Sequence, residues 1–149
     1  MPYLAWSDDL DTRIPELDAQ HRVMVDHVNR LRTAGASGET QELLGAMDAL
    51  IDCLRQHFVF EEKVLAMIEF AGLEEHRKTH ASILDKLIEY RKRLETASAP
   101  EIEEILDGLG PWVVEHIRHD DLDFGPTVRE WLQDAAPPDD PFRQLVGDT

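Results

Sequence analysis

The stretch Arg55-Gln56-His57-Phe58-Val59-Phe60-Glu61-Glu62 sets an imidazole and a carboxylate four residues apart. On a helix that spacing puts both on one face, one turn above the other. Around them, Leu43, Met47, Leu50, Leu54, Leu65 and Ile68 continue the same stripe in steps of four and three. This is the inward seam of a bundle helix, and His57 and Glu61 stand where leucines are expected. An unpaired polar group there costs roughly 2–7 kcal/mol, and a charge more. Either the two residues satisfy each other or a metal ion satisfies both.

The same substitution recurs. His21 interrupts the series Leu17, Met24, Val28, Leu31, and His116 follows Ile102, Ile105, Leu109, Trp112. His76 and His80 sit one turn apart in the series Leu73, Ile83, Leu87, Tyr90, Leu94, a spacing that lets one helix chelate one metal. Position 77 is arginine, so the H-E-x-x-H pattern of zinc proteases is absent. Two acids follow His116. Spacing alone favours Asp120, four residues on, whereas Asp121 falls about 140° around an ideal helix unless the helix widens or ends. Each histidine alone reads as a core residue bonded to a backbone carbonyl. Five in one core, with at least two carboxylates, read as a metal site. Seven ligands are too many for one tetrahedral zinc and suit two octahedral ions sharing carboxylates. Leu73 and Val113 stand three residues before His76 and His116, so the Glu-x-x-His design of other di-iron bundles is excluded.

The elements that must position these residues follow from the breaks. Pro15 suits a helix start. Gly35-Ala36-Ser37-Gly38 marks a turn, and a second helix spans about Gln41 to Phe70, with Ala71-Gly72 ending it. Ser98-Ala99-Pro100 precedes a fourth helix, in which Gly110-Pro111 predicts a kink or a restart. Gly125-Pro126 breaks the chain before a short helix over 127–133. The fold class is therefore all-α: an up-down-up-down antiparallel four-helix bundle with an N-terminal arm, a short C-terminal helix and a tail. Residues 1–16 are expected to form the arm, anchored by Trp6, residues 17–133 the bundle, and 134–149 a flexible tail. His27 lies off the stripe and is expected to be exposed, and Asp8, Asp9 and Asp11 to be solvated.

With 149 residues, 42% of them apolar, the chain suits one domain with a sizeable core. A formal charge of −16 repels phosphate backbones and anionic lipid, which argues against nucleic-acid and membrane partners. The single Cys53 excludes an internal disulfide and reads as an inert, partly packed thiol. No basic, apolar leader and no apolar run long enough to span a bilayer is present, so a cytoplasmic location is expected.

As a set, Leu17-Asp18-Ala19-Gln20-His21 with Asn29, His57-Phe58 with Glu61-Glu62, His76-x-x-x-His80, and Trp112 with His116-Ile117-x-x-x-Asp121 resemble the bacterial hemerythrins. The resemblance spans about residues 6 to 126. It implies that His76, His80 and His116 bind one non-haem iron and His21 and His57 a second. Glu61 and Asp121 would bridge them beside an oxo or hydroxo group, and dioxygen would bind reversibly at the iron with the open position. The family's spacing selects Asp121 over Asp120. Phe58, Trp112, Val113 and Ile117 would line a dry oxygen pocket. The implied role is oxygen storage, delivery or sensing by a monomer, and the expected partner is dioxygen itself, together with an unidentified oxygen-consuming protein. The same ligands would also serve a di-iron peroxidase, oxidase or nitric-oxide-handling enzyme. Val113 stands where the family more often has leucine, Phe124 for a common tyrosine, and Phe70-Ala71 for a common Tyr-Pro.

Overall fold

The computed structural model describes residues 4–134, with Asp121, Leu122 and Asp134 as backbone only. Five α-helices follow a single 3₁₀ turn at Asp8–Leu10: α1 Pro15–Ala36, α2 Thr40–Met67, α3 Leu73–Leu94, α4 Ala99–Asp123 and α5 Gly125–Asp134. Short connections make successive helices antiparallel, the four-helix bundle that the seams predict, closed at one end by α5. α1 packs on α2 and α4, and α2 on α3. No helix among the described residues is long and apolar enough to cross a membrane.

The antiparallel order decides where the unusual seam residues meet. His21 lies early in α1, His57 and Glu61 late in α2, His76 and His80 early in α3, and His116 and Asp120 late in α4. All therefore fall at one level of the bundle. Above them is the main core, with Met24, Val28, Met47, Leu50, Leu54 and Leu87. Below them a smaller cluster of Ile14, Leu17, Val64, Leu65, Phe124 and Val128 closes the end. The polar layer is thus walled from water on both sides by apolar packing.

Local chemistry sets the helix ends. Pro15 opens α1, and Asp18 reaches back to accept from the backbone N–H (2.9 Å) and hydroxyl (2.8 Å) of Thr12. Arg129 of α5 donates to the Thr12 carbonyl at 2.8 Å, tying the arm to the closing helix. Trp6 is only half-buried, with the Arg22 guanidinium 4.8 Å from its ring centroid. Trp6 packs against the main core, and Leu10 and Ile14 are buried more deeply still.

α2 ends at Met67, three residues before the expected stop. Glu69, at φ 54°, takes the left-handed position. Its N–H bonds to the Ala66 carbonyl (3.2 Å), and that of Phe70 to the Leu65 carbonyl (2.9 Å). This is a Schellman closure, with Phe70 packing back on Val64 and Leu65. Gly72 has an ordinary φ of −86° and precedes α3 instead of capping α2. α4 opens with a capping box between Ser98 and Glu101. It then runs through Pro111 without the expected restart. Pro111 and Asp107, one turn before it, both lie on the exposed face of α4, away from the packed seam. The only interruption before α5 is Phe124. Its N–H still bonds the Asp120 carbonyl at 3.0 Å, and Pro126 falls inside the first turn of α5.

Candidate metal centre

Glu61 is the centre of the polar layer, 1% exposed, with histidines from two helices around it. Its Oε1 lies 2.5 Å from His76 Nε2 and 3.0 Å from His80 Nε2, and its Oε2 lies 3.1 Å from His57 Nε2. On the α4 side, Asp120 Oδ2 is 3.2 Å from His116 Nε2 and Oδ1 is 3.5 Å from His76 Nε2. Donor atoms of His21, His57, Glu61 and Asp120 all lie within 4.8 Å of one another, and so do those of Glu61, His76 and His80. Glu61 belongs to both groups. His116 joins the assembly through Asp120. The side chain of Asp121 lies outside the described residues.

Proximity here is not hydrogen bonding. Both ring nitrogens of His21, Nε2 of His57, His80 and His116, Oε2 of Glu61 and both oxygens of Asp120 are buried without a hydrogen-bond partner. The 3.0–3.2 Å approaches of His57, His80 and His116 to carboxylate oxygens lack the geometry for a shared proton. His21 thus has no carbonyl partner, and the close approach of His57 to Glu61 leaves Nε2 and Oε2 short of a well-formed hydrogen bond. Unsatisfied buried groups cost about 1–3 kcal/mol each. Imidazole nitrogens and carboxylate oxygens aimed at common points are what first-row divalent metals bind, so the residues fit the metals that their pattern implies.

The outward ring nitrogens are held. His57 Nδ1–H donates to Gln20 Oε1 at 2.6 Å, and His80 Nδ1–H to Glu62 Oε2 at 3.0 Å. His76 Nδ1 lies 3.5 Å from Asp123 Oδ2. An acceptor on Nδ1 fixes the tautomer and leaves the Nε2 lone pair facing the centre. Gln20 and Glu62 carried no assigned role in the sequence. Each adjoins a candidate ligand in the chain (His21, Glu61), and that adjacency turns it toward the neighbouring helix, the available signal.

Electrostatics point the same way. Burial pushes His21 and His116 down to about 3, so both rings are neutral and able to ligate. Burial, reinforced by the charge of Glu61, pushes Asp120 up to about 10. For Glu61 itself burial acts upward, but His57, His76 and His80 outweigh it and hold the carboxyl well below its ordinary value. Burial likewise acts to lower His76, and the bond to Glu61 reverses it. A cation between the two carboxylates would let both ionise and would displace the proton from His76.

Aromatic and aliphatic side chains keep the layer dry. Phe58 stacks on His80 at 3.8 Å between centroids and 6° between planes, and Trp112 on His116 at 5.9 Å and 9°. Val113 and Ile117 are fully buried beside them. Phe124 meets His76 edge-on at 5.2 Å, so this aromatic seals the layer from below. On the α1–α2 side a broad groove of about 580 Å³ reaches His57 and Gln20. His27 and Cys53 line it, both half-buried, so His27 is less exposed than its place off the stripe suggests.

Residues 12–128 match the family model described as hemerythrin HHE cation binding domain. The chain belongs to the hemerythrin family. Among curated relatives, a bacteriohemerythrin of Pseudomonas aeruginosa is 30% identical, covering 91% of this chain and 88% of that protein. A bacteriohemerythrin of Methylococcus capsulatus is 27% identical over 86% and 98% of the two chains. The myohemerythrin of Riftia pachyptila is 25% identical over 83% and 91%. The crystal structure of a wild-type hemerythrin superposes with a TM-score of 0.70 at 26% identity, covering 83% of this chain and 96% of that one. The bundle therefore has the hemerythrin fold.

The Gln20–His57 bond yields a direct expectation. Gln20→Leu leaves His57 free to turn and lowers metal affinity about 10–100-fold. Competition with a chromophoric chelator measures it, beside an unchanged helical circular-dichroism spectrum. Unaltered affinity would mean that Gln20 does not orient the ligand.

Proposed function

We propose that the polar layer holds two iron ions and that the protein binds dioxygen reversibly there, for storage, delivery or sensing. The observation that carries this reading is Glu61, a fully buried carboxylate belonging to two overlapping donor groups in a layer sealed by apolar packing. His76, His80 and His116 would hold one ion and His21 and His57 the other. When bound, a ferrous pair supplies the two electrons that dioxygen takes up and returns.

The chain's own part is to position and to exclude. Gln20 and Glu62 fix His57 and His80 by their Nδ1–H groups. The stacked rings of Phe58 and Trp112 restrain His80 and His116 in the same way. Val113 and Ile117, with no exposed surface to speak of, fill the space beside His116. A site closed to water disfavours the proton delivery that would turn reversible binding into oxidation.

The test is optical. The iron-loaded, reduced protein is exposed to air and then deoxygenated. A visible band that forms, persists and disappears on removing oxygen is the expected result. Rapid bleaching to a ferric spectrum that deoxygenation does not reverse would overturn carriage in favour of a di-iron redox enzyme.

The second bridging carboxylate comes from the Asp120–Asp121 pair. Asp120 stands in the donor group, and Asp121 has the spacing that the family resemblance selects. One aspartate suffices. Of Asp120→Asn and Asp121→Asn, a single variant is therefore expected to bind less than its full iron complement, measured per chain by elemental analysis. Loss in both, or in neither, would contradict a single bridging aspartate.

A further inference from the structure

The fourth side of the bundle, between α3 and α4, is its loosest, and it holds a cleft of about 270 Å³. The floor is apolar, built from Ile83, Leu87, Leu109 and Trp112, and it is deep enough that Leu87 and Leu109 are themselves buried. Gly108 stands at its edge, where an added side chain would meet no atom within 4 Å of its Cβ.

The mouth is cationic. Lys86 Nζ and the Arg93 guanidinium each lie 5.8 Å from the centroid of the Tyr90 ring, which holds both charges over the cleft. They stand on a chain of net charge −16, on the same helix as Arg91, whose charge is taken up by Asp48 and Glu95. Among the described residues neither Lys86 nor Arg93 pairs with a carboxylate. Two such charges above a hydrocarbon floor complement a molecule with one anionic end and one apolar end. Glu104 also lines the cleft and offsets one of the two cations, so the remaining charge suits a monoanion better than a dianion such as phosphate. The volume corresponds to about nine waters, hence to an occupant of about ten non-hydrogen atoms.

We infer that the α3–α4 cleft binds a small amphiphilic carboxylate, its charge between Lys86 and Arg93 and its hydrocarbon against Trp112. The site is separate from the polar layer and does not require oxygen binding. The two share Trp112, whose ring also stacks on His116, so an occupant of the cleft abuts the wall of the metal layer.

Octanoate, with ten non-hydrogen atoms, is the probe, titrated calorimetrically into the full metal-loaded chain beside neutral octanol. Saturable octanoate binding, stronger than that of octanol, is expected. Lys86→Gln with Arg93→Gln weakens octanoate about tenfold or more and leaves octanol unchanged. Gly108→Phe fills the cleft and removes binding of both, and it replaces an exposed helical glycine by a better helix former, so folding is retained. Absence of saturable octanoate binding overturns the inference. So does binding that survives Gly108→Phe, or equal affinity for octanoate and octanol.

Discussion

The structure depends on a single imbalance, the burial of five imidazoles and two carboxylates whose polar atoms largely have no protein partner. His21 illustrates it most simply, with 0% exposure and neither ring nitrogen bonded. A bundle seam of leucines would be more stable by itself, because each orphaned donor or acceptor forfeits its hydration without recompense. The apolar clusters above and below the layer sharpen the penalty by excluding the water that would relieve it. Such a core is sensible only if something with positive charge and several open coordination positions completes it. The convergence on Glu61 of donors from α2 and α3 gives that something a location.

The remaining features serve this layer. Antiparallel order brings seam positions from four helices to one height. The Phe124 junction turns α5 across the open end, and the Thr12–Asp18–Arg129 bonds lock the arm beside it. Polar residues around the layer, Gln20 and Glu62, do not ligate but decide which ring nitrogen faces inward. Orientation matters because a neutral imidazole has one lone pair, and the wrong tautomer presents a proton to the metal.

Much of this was legible in the sequence. Alternating steps of three and four fix a helix face, and polar interruptions on such a face stand out against leucine. That is why His21, His57, Glu61, His76, His80 and His116 could be named from spacing. Spacing also pointed to Asp120, which the structure buries in the layer, while the family pattern pointed to Asp121. What spacing could not convey is backbone behaviour away from regular helix. Glu69 adopts a conformation usually reserved for glycine, so the eye moves to Gly72 and overshoots the end of α2. Pro111 is read as a break, yet it sits on the exposed face of α4 and the helix continues. Gln20 and Glu62 lie off the seam, and their partners are on another helix. The α3–α4 cleft was equally hidden, since it arises from how far two helices stand apart.

The central claim is that metal, rather than the protein fold, satisfies the buried layer. Thermal unfolding of His21→Leu with and without iron tests it most directly. If the claim holds, leucine removes an unsatisfied polar group, so the metal-free variant melts above the metal-free parent. The iron-loaded variant, short of a ligand, melts below the iron-loaded parent. If His21 is instead a structural histidine, leucine lowers the melting temperature equally in both states, and the account fails.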